Sequence, residues 1–92
     1  MKDYRLEVYT RPTCSDCQDL KEFLKRHDIP HKEYDLAKDP AKEKELIKIT
    51  GNRIVPALVF SQSSLFGLMR KTKSMIGFET NKDEIKKLLK VG

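Results

Sequence analysis

Two cysteines two residues apart, Cys14-Ser15-Asp16-Cys17, are the whole thiol inventory of this 92-residue chain. A lone pair at that spacing points to disulfide exchange or to metal binding rather than to a structural disulfide framework. In exchange the reacting species is the thiolate, and an ordinary cysteine with a pKa near ~8.5 is mostly protonated at neutral pH. The site must therefore favour negative charge on one sulfur and keep the other within reach of it. Cys14, the first of the pair, is the candidate nucleophile; Cys17, one helical turn on, is the candidate resolving thiol. Arg11 can bring positive charge to Cys14. Asp16 between the cysteines opposes that effect, since a nearby carboxylate disfavours a thiolate.

Zinc is the competing chemistry. Cys14 and Cys17 are followed by His27 and His31, a superficial zinc-finger pattern, but nine residues separate Cys17 from His27 where a finger has about 12. Pro30 also stands between the histidines and breaks the helix that would have to carry both. His27 suits a helix C-terminus, His31 is an ordinary strand residue, and no metal ligands are assigned.

The elements that must position the cysteines follow from periodicity and punctuation. Residues 5–9 alternate polar and apolar as a strand does. A loop through Arg11-Pro12-Thr13 leads to a helix from about Cys14 to His27, with Cys17, Leu20 and Leu24 on one face and Phe23 beside it. Cys14 thus falls at a helix start, where unpaired N–H groups and the helix dipole favour an anion. Ile29-Pro30 ends that helix, and residues 31–36 read as a second strand. Asp39-Pro40 opens another helix, which Gly51 stops.

Ala57-Leu58-Val59-Phe60 suits a buried strand, and a further strand lies around Ser74-Met75-Ile76. A last helix follows Thr80-Asn81, with Asn81 and Glu84 spaced as a capping box and Ile85, Leu88 and Leu89 turned inward. The order is β-α-β-α-β-β-α, an α/β chain expected to form one domain over residues 1–92. The strand–helix–strand unit implies a parallel pair and the later short connection an antiparallel one. Ser61–Ser74 is too long for a tight hairpin turn. Its Leu65, Phe66, Leu68 and Met69 suit an extended hairpin that helps close the core, or else a binding flap or dimer contact.

Composition narrows the partners. Nineteen basic against fourteen acidic residues give a net charge of +5, but most are interleaved, as in Lys42-Glu43-Lys44-Glu45; Arg70-Lys71-Thr72-Lys73 is the one basic cluster. Without interleaved aromatics or a groove-reading motif, no nucleic-acid partner is expected. No apolar run approaches the ~20 residues of a membrane span. The charged opening Met1-Lys2-Asp3-Tyr4-Arg5 lacks an apolar signal segment, so a cytoplasmic location without membrane attachment is expected.

Taken together, Val8-Tyr9-Thr10-Arg11-Pro12-Thr13-Cys14-Ser15-Asp16-Cys17, Ile54-Val55-Pro56 and Gly77-Phe78 resemble, in the right order, the active-site segment, the Thr-Val-Pro segment and the glycine step of glutaredoxins and related small redoxins. The resemblance implies a thioredoxin-like fold, a four-stranded mixed sheet flanked by three helices, with a cis bond before Pro56. It implies disulfide reduction by Cys14 and Cys17 in a monomer without a bound cofactor. Arg11, Thr13, Val55, Pro56, Gly77 and Phe78 are then the residues that meet the substrate or glutathione.

Three positions depart from the glutathione-using pattern: Ile54 for threonine, Asp16 for tyrosine and Phe78 for a second glycine. Gly77-Phe78 is instead similar to redoxins that draw electrons from thioredoxin reductase, while Arg11 still matches a position that can hold a glutathione carboxylate. Both donors remain open, with disulfide-bearing proteins or small molecules as substrates. A redox-responsive regulator that binds a partner protein is the alternative; the 38 residues from Gln18 to Val55 fit a compact redoxin better than the longer arsenate-reductase-like regulators. A cluster shared between two chains, as in some glutaredoxin relatives, is a weaker alternative.

Overall fold

The computed structural model describes residues 4–63 and 70–91. Among these, four strands and three helices follow one another as β1 (Tyr4–Thr10), α1 (Ser15–Arg26), β2 (Lys32–Asp35), α2 (Pro40–Thr50), β3 (Ala57–Ser63), β4 (Arg70–Ile76) and α3 (Lys82–Leu89). The strands form one mixed sheet in the order β2-β1-β3-β4. β1 runs parallel to β2, with Tyr9 opposite Tyr34, and antiparallel to β3, with Val8 opposite Leu58. β3 and β4 are antiparallel. This is the thioredoxin-like architecture that the resemblance implied, with the element order read from the sequence.

Alternation along the central strands divides the core between the two faces of the sheet. Leu6 and Val8 of β1, Leu58 and Phe60 of β3 and Met75 of β4 are buried with Leu20, Phe23 and Leu24 of α1 and Ile85 and Leu89 of α3. On the other face Tyr9, Ala57 and Val59 pack with Leu36 and with Leu46 of α2. Both faces of the central strands are thus covered near the C-terminal end of β1, where the chain turns into the segment that carries Cys14.

Two local expectations change. Asn81 does precede α3, but its side chain makes no capping bond. Its amide donates instead to the carbonyls of Ile76 and Gly77 at 2.7 and 3.0 Å, and Glu84 pairs with Lys73 of β4. The capping box is therefore not formed: both of its members are engaged with β4 and the turn after it. The hairpin strands also reach further into the Ser61–Ser74 segment than expected, with Ser61 opposite Thr72 and Ser63 opposite Arg70. Leu65, Phe66, Leu68 and Met69 lie outside the described residues.

Candidate active site

Cys14 is the N-cap of α1, in an extended backbone conformation, and its sulfur takes the place a serine or aspartate oxygen has in an ordinary cap. It accepts the Cys17 N–H at 3.1 Å. An amide donor at a helix start stabilises negative charge on that sulfur. The entering loop is held by the Cys14 N–H on the Arg11 carbonyl at 3.2 Å. Thr13 is exposed just before it, and Cys14 itself is partly exposed.

Cys17 lies one turn along and is fully buried. Burial, followed by hydrogen bonding to Cys14, pushes its thiol up to about 12. The two sulfurs, both free, therefore stand in different surroundings. Cys14 meets solvent and an amide donor; Cys17 is held back as a neutral thiol.

The opposite wall comes from the turn before β3. The Val55–Pro56 bond is cis, as the resemblance implied, and Val55 presents its carbonyl 3.8 Å from the Cys14 sulfur, which donates to it as a thiol. Ile54, next in line, is 57% exposed. A third segment, between β4 and α3, closes the arrangement. The Gly77 N–H donates to the Pro56 carbonyl at 2.8 Å. The next two N–H groups, of Phe78 and Glu79, donate to the two oxygens of Asp16 at 2.8 and 3.2 Å. Three stretches far apart in the chain thus meet at the start of α1, fastened to one another by the Cys14 thiol and by the main-chain donors of Gly77, Phe78 and Glu79.

Gly77 sits at φ +94°, a conformation side chains rarely adopt, while a Cβ there would meet the side chains of Thr80 and Asn81 only at 3.9 Å, an ordinary van der Waals contact. Gly77→Ala is therefore expected to cost about 1–2 kcal/mol through the backbone alone. A lowered denaturation midpoint with an unchanged m-value would register it.

Phe78 does not offer its ring to a ligand. The ring is 3% exposed and packs against Phe23 of α1 at 5.2 Å between centroids. What the residue presents towards the site is its N–H, already taken by Asp16. Arg11 is likewise engaged: its guanidinium pairs with Glu43 of α2 at 3.1 Å, and Arg53 approaches the other oxygen of Glu43 at 3.6 Å. Its charge, expected beside Cys14, is shared with that carboxylate.

His27 and His31 remain apart from the cysteines. The His27 ring packs on Phe23, and His31 contacts the Ile29 carbonyl. Among the described residues no group of three His, Cys, Asp or Glu side chains comes together as a metal site would require. Nor is any described helix long and apolar enough to cross a membrane.

Sequence reasoning treated Asp16 as a charge between the cysteines and as a departure from the glutathione-using pattern, and did not single out Glu43 or Arg53. Asp16 does sit in the first turn of its helix, where an acid is favoured by the dipole alone. That local explanation hides the partner 62 residues away.

The buried thiol has a consequence for stability. An unfolded cysteine titrates near ~8.5, whereas Cys17 in the fold stays protonated up to about 12. Between those limits the native state binds the extra proton, so stability is complete below the lower limit and falls as pH rises through the interval. Denaturation midpoints measured from pH 8 to 11 are expected to fall, with up to about 1.4 kcal/mol per pH unit coming from this one group. Cys17→Ala should flatten that slope.

A model of the glutaredoxin family matches residues 6–64. The global transcriptional regulator Spx of Listeria innocua is 35% identical over 46 residues, 47% of this chain. The match spans 35% of the regulator's own length. Among solved structures, a mutant of the thioredoxin-like protein BC3987 superposes with a TM-score of 0.72 at 28% identity, over 100% of both chains. A buckwheat glutaredoxin in complex with glutathione superposes with a TM-score of 0.62 over 91% of this chain and 70% of that one. At 18% identity it shows the shared fold. With more than half of its length matched by the family model, the chain belongs to the glutaredoxin family.

Proposed function

We propose that this protein is a thiol–disulfide oxidoreductase that reduces disulfides by a dithiol mechanism. The observation that carries the reading is the contrast between the two sulfurs. Cys14 caps α1, partly exposed and accepting an amide donor, while Cys17 is fully buried one turn behind it. In the first step the Cys14 thiolate attacks one sulfur of the substrate disulfide. A mixed disulfide forms, and the other sulfur leaves as a thiolate that takes a proton from water. Cys17 then gives up its proton and attacks the Cys14 sulfur. That expels the second substrate thiolate and leaves a Cys14–Cys17 disulfide. Two protein thiols thereby supply the two electrons, and an external dithiol or glutathione returns the protein to its reduced form. The net direction follows the difference in reduction potential between the couples.

Arg11, Thr13, Val55, Pro56 and Gly77 form the proposed substrate-facing surroundings, with Phe78 contributing through its main chain. Disulfide-bearing proteins or small molecules are the proposed substrates, and thioredoxin reductase or glutathione the proposed donors. The test is NADPH consumption by the oxidised protein with a disulfide substrate, run in parallel with thioredoxin reductase and with glutathione plus glutathione reductase. Turnover in either arm is expected and identifies the donor. Failure in both, in a protein whose Cys14–Cys17 disulfide forms, would sink the reading.

The match to Spx favours one second reading, a regulator whose Cys14–Cys17 pair switches binding to a partner protein. It predicts no turnover in either arm and a stable complex whose formation depends on oxidation of that pair.

A further inference from the structure

Two acids of the chain itself stand near Cys14 in sequence or space, each held by donors that could equally hold a carboxylate from outside. Asp16, two residues after Cys14, occupies the consecutive Phe78 and Glu79 N–H groups with its two oxygens. Glu43 lies between two guanidinium groups, with one oxygen on Arg11 at 3.1 Å and the other 3.6 Å from Arg53. Arg11 belongs to the loop that positions Cys14, since its carbonyl accepts the Cys14 N–H. Without the two acids, the chain would carry one receptor of paired main-chain N–H groups and one of forked guanidinium donors, both suited to carboxylates. Glutathione, whose cysteine lies between two terminal carboxylates, has the chemistry to use both.

We propose that Asp16 and Glu43 are built-in occupants of these receptors. They set the specificity of the site against glutathione and towards polypeptide disulfides whose flanks carry no carboxylate. An incoming carboxylate has to displace one that is already in place and tethered, and a tethered group competes at high effective concentration. A polypeptide needs no such displacement, and the exposed Ile54 beside Val55-Pro56 offers it an apolar contact. The proposal rests on the exchange activity proposed above and names its substrate class.

Its test is a single turnover of the fully reduced protein with two mixed disulfides. One joins a neutral cysteine peptide to glutathione; the other joins the same peptide to glutathione diethyl ester, which lacks both carboxylates. Cys14 attacks the glutathione sulfur, the peptide thiolate leaves and is protonated, and Cys17 then expels the glutathione thiolate. The protein's two thiols are the only reductant needed. The readout is the rate for the free acid divided by that for the ester.

In the native chain the ratio is expected to be close to unity or below it. In D16N/E43Q, which keeps side-chain size but replaces both charged occupants by neutral ones that an incoming carboxylate displaces more readily, it should rise about tenfold, the effect of a charge-assisted hydrogen bond. E22Q, in the exposed pair of Glu22 with Arg26 on α1, removes the same charge remote from either receptor and should keep the native ratio. A general loosening of the site moves both rates together and leaves the ratio where it was.

A native ratio of about ten or more, or a ratio unmoved in D16N/E43Q, overturns the proposal. The native measurement stands even if the double variant does not fold. If the native protein reduces neither compound while its own disulfide still forms, the exchange activity itself fails and the specificity fails with it.

Discussion

Cys14→Ser is expected to lower disulfide exchange by roughly a thousandfold or more, as loss of a nucleophile does, while Cys17→Ser stops the cycle after its first bond. The asymmetry follows from exposure. Cys14 is partly open to solvent, with its sulfur against an amide donor and the Val55 carbonyl. Cys17 has no exposed surface and is held as a neutral thiol. It can react only with a sulfur brought to it, and the Cys14 sulfur is the one placed there. Non-reducing intact mass spectrometry of Cys17→Ser with a disulfide peptide should therefore show the protein carrying one half of the peptide, bound through Cys14. Full turnover by Cys14→Ser, or capture of the peptide on the wrong sulfur in a chain with both cysteines, would contradict the assignment.

The largest effect on stability within reach of the site is expected at Phe78. Its ring is buried between α1 and the elements that follow β4, against Phe23. Truncating a buried phenylalanine to alanine costs about 3–5 kcal/mol, through lost burial and the cavity left behind. Domains of this size are stable by only about 5–15 kcal/mol, so Phe78→Ala should lose much of its margin. Urea unfolding should show a far lower midpoint with little change in slope. A loss below about 1 kcal/mol would mean the ring is not the anchor of its loop. The same position is read very differently from the sequence, where the step from a glycine pair to Gly77-Phe78 resembles a change of specificity. In the structure the phenylalanine is first a packing residue, and its N–H is what reaches the site.

That contrast shows what the sequence makes legible. Element order, the placement of Cys14 at a helix start, the stop at Gly51 and the inward face of α1 all follow from local patterns of hydrophobicity and capping, and the structure reproduces them. Relations between distant residues do not announce themselves. Asp16 reads as a first-turn acid, Glu43 as part of an interleaved charged face, and Asn81 with Glu84 as a capping box. Each residue has an adequate local use, so nothing in the sequence demands the long-range one. The structure assigns them to Phe78 and Glu79, to Arg11 and Arg53, and to β4 and the turn after it. The extension of β3 and β4 was hidden for another reason. Ser61-Gln62-Ser63 and Arg70-Lys71-Thr72-Lys73 lack the apolar alternation that marks a half-buried strand, yet they pair in register.

The fastening of Asp16 to Phe78 and Glu79 has a bearing on synthesis. A chain leaves the ribosome from its N-terminus, so both cysteines emerge long before the N–H groups that take up the acid between them. In that interval the Asp16 carboxylate has no receptor from the last third of the chain, and Cys17 has no finished core to hide in. The two thiols of the growing chain are then ordinary and equally available to oxidants. Their division of labour arises only when α1 forms with Cys14 as its cap and the core closes over Cys17. Uneven labelling of the two cysteines would thus time the completion of the fold on stalled chains of increasing length.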